Sequence, residues 1–235
     1  MSSIHFIGGE KGGIGKSVVS RLISQYCLDY NYQYAGMDAD QSHGTLTRFY
    51  PQFTQAIDLD SFESADLIVE TAFKSDVNVI VDLPAQSERF LNKWMDENDV
   101  EGLLQESDIN SVYWYVVDDG VDSAQLVTEF LTKYGSRIPC VVVKNYGRGS
   151  DFSILEKMLY EAGITPNKVI ELPDLHTSTM HKVDKHNLNF WRAANVSEQG
   201  EDTLSMMERR RVKVWVRKAF EQIGDVMSIT LNQHQ

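Results

Sequence analysis

Two rhythms of hydrophobic positions alternate along this chain. Short apolar runs stand at 4–9 (IHFIGG), 33–38 (QYAGMD), 78–85 (NVIVDLPA), 111–119 (SVYWYVVDD), 138–145 (IPCVVVKN) and 168–174 (KVIELPD). Several of them lack polar alternates, which marks strands covered on both faces. Between them apolar residues recur at helical spacing. At 16–30, Val19, Leu22, Ile23, Tyr26 and Cys27 share one face, and further helices are predicted at roughly 86–106, 122–134 and 151–162. A polar loop, ADQSHGTLTRFY, follows the second run. This β-α alternation predicts an α/β fold, three-layer α/β/α with a mostly parallel twisted sheet. No linker, low-complexity stretch or internal repeat interrupts it, so residues 1–235 are read as a single domain.

The last forty or so residues follow a different pattern. A long helix is predicted from about 203 to 226, with Val212, Val216, Phe220, Ile223 and Val226 on one face and the arginines mostly opposite. It reads as a terminal helix packed on the body, with a polar tail (SITLNQHQ) beyond it. NFWR around Trp191 reads as a hydrophobic anchor, with partner docking as the alternative. Trp215 either packs or buttresses the basic surface.

Composition narrows the class. With 42% hydrophobic and 24% charged residues the chain has the content of a globular protein with a proper core. No apolar run approaches the roughly 18 residues of a membrane span, and the N-terminus lacks the features of a secretory signal. Cys27 and Cys140 lie in apolar runs without a motif, which fits a reducing, cytoplasmic compartment. The net charge of −12 argues against polyanion binding by the whole surface. The segment ERRRVKVWVRK at 208–218 is basic, leaving the remainder near −17 by difference. Arg209, Arg210, Arg211, Lys213, Arg217 and Lys218 therefore either meet DNA phosphates without sequence preference or form a solvated face paired with the acidic body.

The candidate chemistry begins at GGEKGGIGKS, residues 8–17. A strand runs into it and an amphipathic helix leaves it, the context of a phosphate-binding loop. Gly12, Gly13 and Gly15 allow close backbone approach, Lys16 reaches terminal phosphates, and the Ser17 hydroxyl is placed for Mg²⁺. The usual pattern asks for glycine at position 10, where this chain has Glu10, followed by an additional lysine, Lys11.

KGGIGKS resembles the deviant Walker A loop of the ParA/MinD superfamily of P-loop ATPases, in which the position before the first lysine varies. GMDADQSHG resembles that family's first switch and supplies Asp38 and Asp40. VIVDLPA resembles its second and supplies Asp82 and Pro84. The resemblance implies ATP and Mg²⁺ as cofactors, held by Gly12, Gly13, Ile14, Gly15, Lys16, Ser17 and Val18. It implies adenine contacts at Asn145, Pro173 and Asp174, and metal ligation by Ser17 with Asp38 and Asp82 acting through bound waters. Lys11, Lys16 and Asp40 are the implied catalytic residues. Lys11 reaches across to the nucleotide of a second subunit in an ATP-bound homodimer, and Asp40 orients the attacking water. The DAD triplet also reads as a loop with capping potential, and His43 as a surface histidine.

Within the superfamily, the cysteine positions do not suit an iron–sulfur reductase bridging two subunits. The tail lacks the tyrosine cluster of the kinase branch, and its polar end does not suit a lipid-inserting helix. The basic tail helix and compact first half resemble ParA-type proteins of plasmid transfer and mobilisation regions, the TraL/MobD group. That implies a slow, dimerising ATPase in plasmid partition, stability or mobilisation, with non-specific DNA and a stimulating protein as partners and no membrane. The alternatives are a positioning ATPase for a non-DNA cargo and a small-molecule ligase resembling dethiobiotin synthetase.

Overall fold

The computed structural model describes residues 2–232, apart from 42, 75, 198, 199 and 201. Seven strands form one sheet: β1 (Ser3–Gly8), β2 (Tyr34–Asp38), β3 (Thr54–Ala56), β4 (Asn78–Asp82), β5 (Asn110–Val117), β6 (Cys140–Asn145) and β7 (Lys168–Leu172). They lie in the order β3-β2-β4-β1-β5-β6-β7, and every pairing is parallel. All strand C-termini therefore share one edge, and β1 stands where the strand order reverses, the position at which such sheets bind ligands.

The helices are α1 (Lys16–Asp29), α2 (Thr45–Phe49), α3 (Phe62–Lys74), α4 (Glu88–Glu97), α5 (Val100–Glu106), α6 (Val121–Tyr134), α7 (Ser153–Glu161), α8 (Thr177–Lys185), α9 (Phe190–Asn195) and α10 (Met206–Asn232). Strand side chains alternate between two cores, as the period of two requires. Tyr113, Tyr115 and Val117 of β5 face the layer of α3 to α7, whereas Val112, Trp114 and Val116 face α1, α2 and α8 to α10. The runs of β1, β4 and β6 are buried at every position because both faces are covered.

Three expectations are corrected. The helix read at 86–106 is two helices, broken where Asp99 takes a left-handed φ of 46°. The loop read as ADQSHGTLTRFY contains α2, and β3, which no run predicted, follows it. The C-terminal helix continues to Asn232, so most of the tail read as lying beyond it is helical. Nothing in SITLNQ is a glycine or proline stop. Residues 233–235 of that tail lie outside the described residues.

One buried polar chain crosses the sheet's other end. Trp114 Nε1 donates to His5 Nδ1 at 3.2 Å, so the neutral ring carries its proton on Nε2, 2.8 Å from Ser3 Oγ. Ser3 Oγ in turn donates to Asn78 Oδ1 at 2.7 Å. Burial pulls the His5 pKa down to about 4, against an opposing hydrogen bond with Asn78.

Candidate functional site

The loop between β1 and α1 folds as a phosphate cradle. Gly13 and Gly15 take φ of 76° and 98°, a region closed to side chains at little cost only for glycine. At Gly15 a Cβ would also collide with the Asn145 amide. The N-terminus of α1, where the first N–H groups of a helix point outward, opens on a cavity of about 500 Å³ lined by the loop, Asp40, Pro84 and Arg148 among others. Lys16 is nearly buried and lies back over the loop, its Nζ donating to the Lys11 carbonyl at 3.0 Å. Burial lowers its pKa, and the carboxylates of Asp82, Asp40 and Glu10 oppose that shift.

Asp38 and Asp82 are register partners at the C-termini of β2 and β4, which sets two buried carboxylates side by side. They are used differently. Asp38 accepts the backbone N–H groups of Asp40 at 3.2 Å and Thr47 at 2.8 Å, so it braces the loop into α2. Asp82 accepts from Ser20 Oγ at 2.9 Å, while its Oδ2 is buried and makes no hydrogen bond among the described residues. Burial raises the Asp82 pKa to about 7; Ser20 opposes, Asp38 adds to the rise, and the nearby Ser17 hydroxyl opposes. An orphaned carboxylate oxygen facing a half-buried serine hydroxyl fits a hydrated divalent cation. The described residues hold no cluster of three or more histidine, cysteine or carboxylate groups able to bind a metal unaided, so remaining ligands must come from water or phosphate.

Asp40 stands at the mouth of the cavity. His43 is 74% exposed, a surface histidine as expected, yet its Nδ1 lies 3.2 Å from Asp40 Oδ2. Lys11 reaches sideways within its own chain: its Nζ pairs with Asp118 Oδ2 at 2.8 Å, just past β5. This hydrogen bond raises the Lys11 pKa. Burial would push Asp118 upward, but Lys11, Ser123 and the Gly120 N–H together hold it below the usual carboxylate value.

A second cavity of about 210 Å³ adjoins the first through Val18, Arg148 and Asp184, and it gathers Asn145, Pro173 and Asp174. Asn145 is already engaged, donating to the Ile14 carbonyl at 2.7 Å and accepting from Gly147 N–H at 3.0 Å. It ties the phosphate loop to the end of β6. Trp215 packs, as one of the two readings held: it is 4% exposed, and its Nε1 donates to the Pro173 carbonyl at 2.6 Å.

Sequence reasoning missed Arg21. Its guanidinium lies 3.5 Å from the Phe49 ring centroid and 4.5 Å from that of Phe190, and pairs with Asp184 at 2.8 Å. The signal was available: α1 is buried almost all round, and a cation there needs a partner. The expected anchor at NFWR divides. Phe190 is fully buried, whereas Trp191 is 50% exposed.

No established family profile matches the chain. It is 25% identical over 236 residues to protein TraL of Escherichia coli, spanning 95% of this chain and 98% of that one. In fold it matches the septum site-determining protein MinD of Pyrococcus horikoshii, solved with Mg-ADP, with a TM-score of 0.59, 14% identity and coverage of 98% and 99%. A putative plasmid partition protein of Borrelia burgdorferi bound to AMPPNP gives a TM-score of 0.52 at 14% identity, covering 93% and 100%. The chain thus has the fold of a P-loop NTPase. The KGGIGKS loop, the switch aspartates and these relatives support the ParA/MinD superfamily as its family, with TraL a full-length relative.

Proposed function

We propose that this protein is an ATP-dependent dimerising switch with slow hydrolysis, acting in plasmid partition, stability or mobilisation. One observation carries the reading. The glycine cradle, Lys16, Ser17 and Asp40 line one cavity, the buried Asp82 carboxylate lies next to Ser17 and Ser20, and Lys11 opens the loop beside Asp118.

The cradle's N–H groups and Lys16 bind the β- and γ-phosphates of ATP. Ser17 would ligate Mg²⁺, and Asp82 and Asp38 would hold it through its waters. The metal supplies charge neutralisation at the phosphoryl oxygens. Asp40 accepts a hydrogen bond from the attacking water and aligns it. Val18, Asn145, Pro173 and Asp174 form the base-binding side, where Asn145 acts by holding the loop. Lys11 leaves Asp118 and crosses to the partner's phosphates, which makes closure of two subunits depend on ATP. Arg209, Arg210, Arg211, Lys213, Arg217 and Lys218 contact DNA, and a protein partner stimulates hydrolysis. The resemblance to ParA-type proteins of plasmid transfer and mobilisation regions favours a plasmid setting, and no described helix is long and apolar enough to cross a membrane.

Hydrolysis measured with ATP alone, with DNA and with a candidate partner tests this. Slow basal turnover is expected; many turnovers per second by the isolated protein would point to a ligase-type enzyme instead. Loss of nucleotide binding in Lys16→Ala is required.

A further inference from the structure

A groove of about 500 Å³ lies between α1, α9 and α10, on the far side of Phe190 from the nucleotide site. One face of α10 lines it: Arg210, Lys213, Val214, Arg217 and Glu221 recur at helical spacing. Opposite stand Tyr30 of the α1 C-cap, 55% exposed, and Trp191, 50% exposed. The protein's other tryptophans, Trp94, Trp114 and Trp215, are at most 4% exposed. Among the described residues, Arg210, Lys213 and Arg217 make no ion pair. Two carboxylates share the groove. Glu221 is exposed, and Asp29 is tied to Gln25 Nε2 at 2.8 Å.

We propose that this groove binds single-stranded nucleic acid, with Trp191 and Tyr30 as stacking faces and Arg210, Lys213 and Arg217 as phosphate contacts. The inference rests on the DNA-binding reading above and narrows its substrate. Phosphate contacts alone do not distinguish strand types, but an exposed indole beside a basic row gains only from an unstacked base. In a duplex the base faces are covered; in a single strand each base presents one, and stacking adds sequence-tolerant affinity. Arg211 and Lys218 extend the basic row along the exposed side of the same helix. The groove is also tied to the end of α2. Trp191 N–H donates to Gln25 Oε1 at 3.2 Å, and that oxygen accepts the Tyr50 hydroxyl, just past α2, at 3.1 Å.

The test titrates the full chain, with ATP and Mg²⁺, against an oligothymidylate of about 20 nucleotides, longer than a typical single-strand site. A duplex of the same length and polyglutamate are the comparison probes. The single strand should quench the exposed indole and bind more tightly than the duplex. Its log affinity should fall with log salt at a slope of about −2 for three phosphate contacts. Trp191→Ala should weaken it roughly fivefold or more with an unchanged thermal melt, while Trp191→Phe retains binding. Arg217→Glu should flatten the salt slope. Equal duplex affinity, insensitive to Trp191→Ala, overturns the inference and leaves the broader DNA reading standing. Absence of both strand types at low salt removes both readings. Quenching by polyglutamate as strong as by the oligonucleotide would make the groove a protein-docking site and overturn the proposal.

Discussion

Lys11, the additional lysine of the phosphate loop, is held 2.8 Å from Asp118 of its own chain. A side chain proposed to serve a second subunit is therefore parked until something draws it away. Its partial exposure keeps the pair's contribution to folding small, below about 1 kcal/mol, so the contact can break without loss of the fold. Asp118→Asn should leave the melting temperature within a degree or two, roughly, of the parent. It should also lower the ATP concentration at which dimers form, as followed by light scattering. An unchanged midpoint would mean that the pair does not restrain Lys11.

The pair of register-matched aspartates gives a different prediction. Asp38 braces the loop into α2 through two backbone N–H groups, while Asp82 keeps a buried oxygen with no hydrogen bond among the described residues. Asp82→Asn should abolish Mg²⁺-dependent tightening of nucleotide binding and keep the fold. Asp38→Ala should lower stability by about 1–2 kcal/mol, in line with loss of a helix cap. Calorimetry with and without Mg²⁺ separates the two roles.

His5 sets an acid limit on stability. Its folded pKa near 4 lies below the ordinary value of 6.5, so the unfolded chain takes up a proton first as pH falls. The neutral ring's contribution is full above about 6.5, declines between there and about 4, and is then flat. Protonation would set an Nδ1 donor against the Trp114 N–H donor. The melting temperature should fall across that window, and the fall should shrink in His5→Gln. An equal slope in both proteins would place the sensitivity elsewhere.

Arg21 links the nucleotide cavity to the outer helices through Phe49, Phe190 and Asp184. Asp184→Ala leaves a buried guanidinium whose Nε and Nη2 have no hydrogen-bond partner among the described residues. Because Asp184 is 43% exposed, the loss should be moderate, about 2 kcal/mol. Denaturant unfolding checks this, and a neutral outcome would show that the aromatic sandwich suffices.

Much of this was legible in the sequence. Apolar runs identified six strands, most plainly β1, β4 and β6, where burial of every position leaves little room for polar alternates, and the glycine–lysine loop named its own chemistry. β3 escaped because Thr54–Ala56 is a short, largely exposed edge strand with no periodic signal. The break at Asp99 depends on one left-handed residue within a helical pattern. NFWR read as a single anchor because adjacent aromatics on a helix face different directions, and only packing shows which is buried. For Asn145, a motif position gave the neighbourhood, but the bond to the Ile14 carbonyl emerges only once β6 is placed beside the loop.

The central claim is that ATP joins two subunits, and light scattering of Asp40→Ala with ATP and Mg²⁺ tests it most directly. Blocking hydrolysis while sparing the cradle should give a stable species of twice the 26.7 kDa chain mass. That species should disappear when Lys16→Ala is added. A protein that binds ATP yet stays at 26.7 kDa would contradict the account.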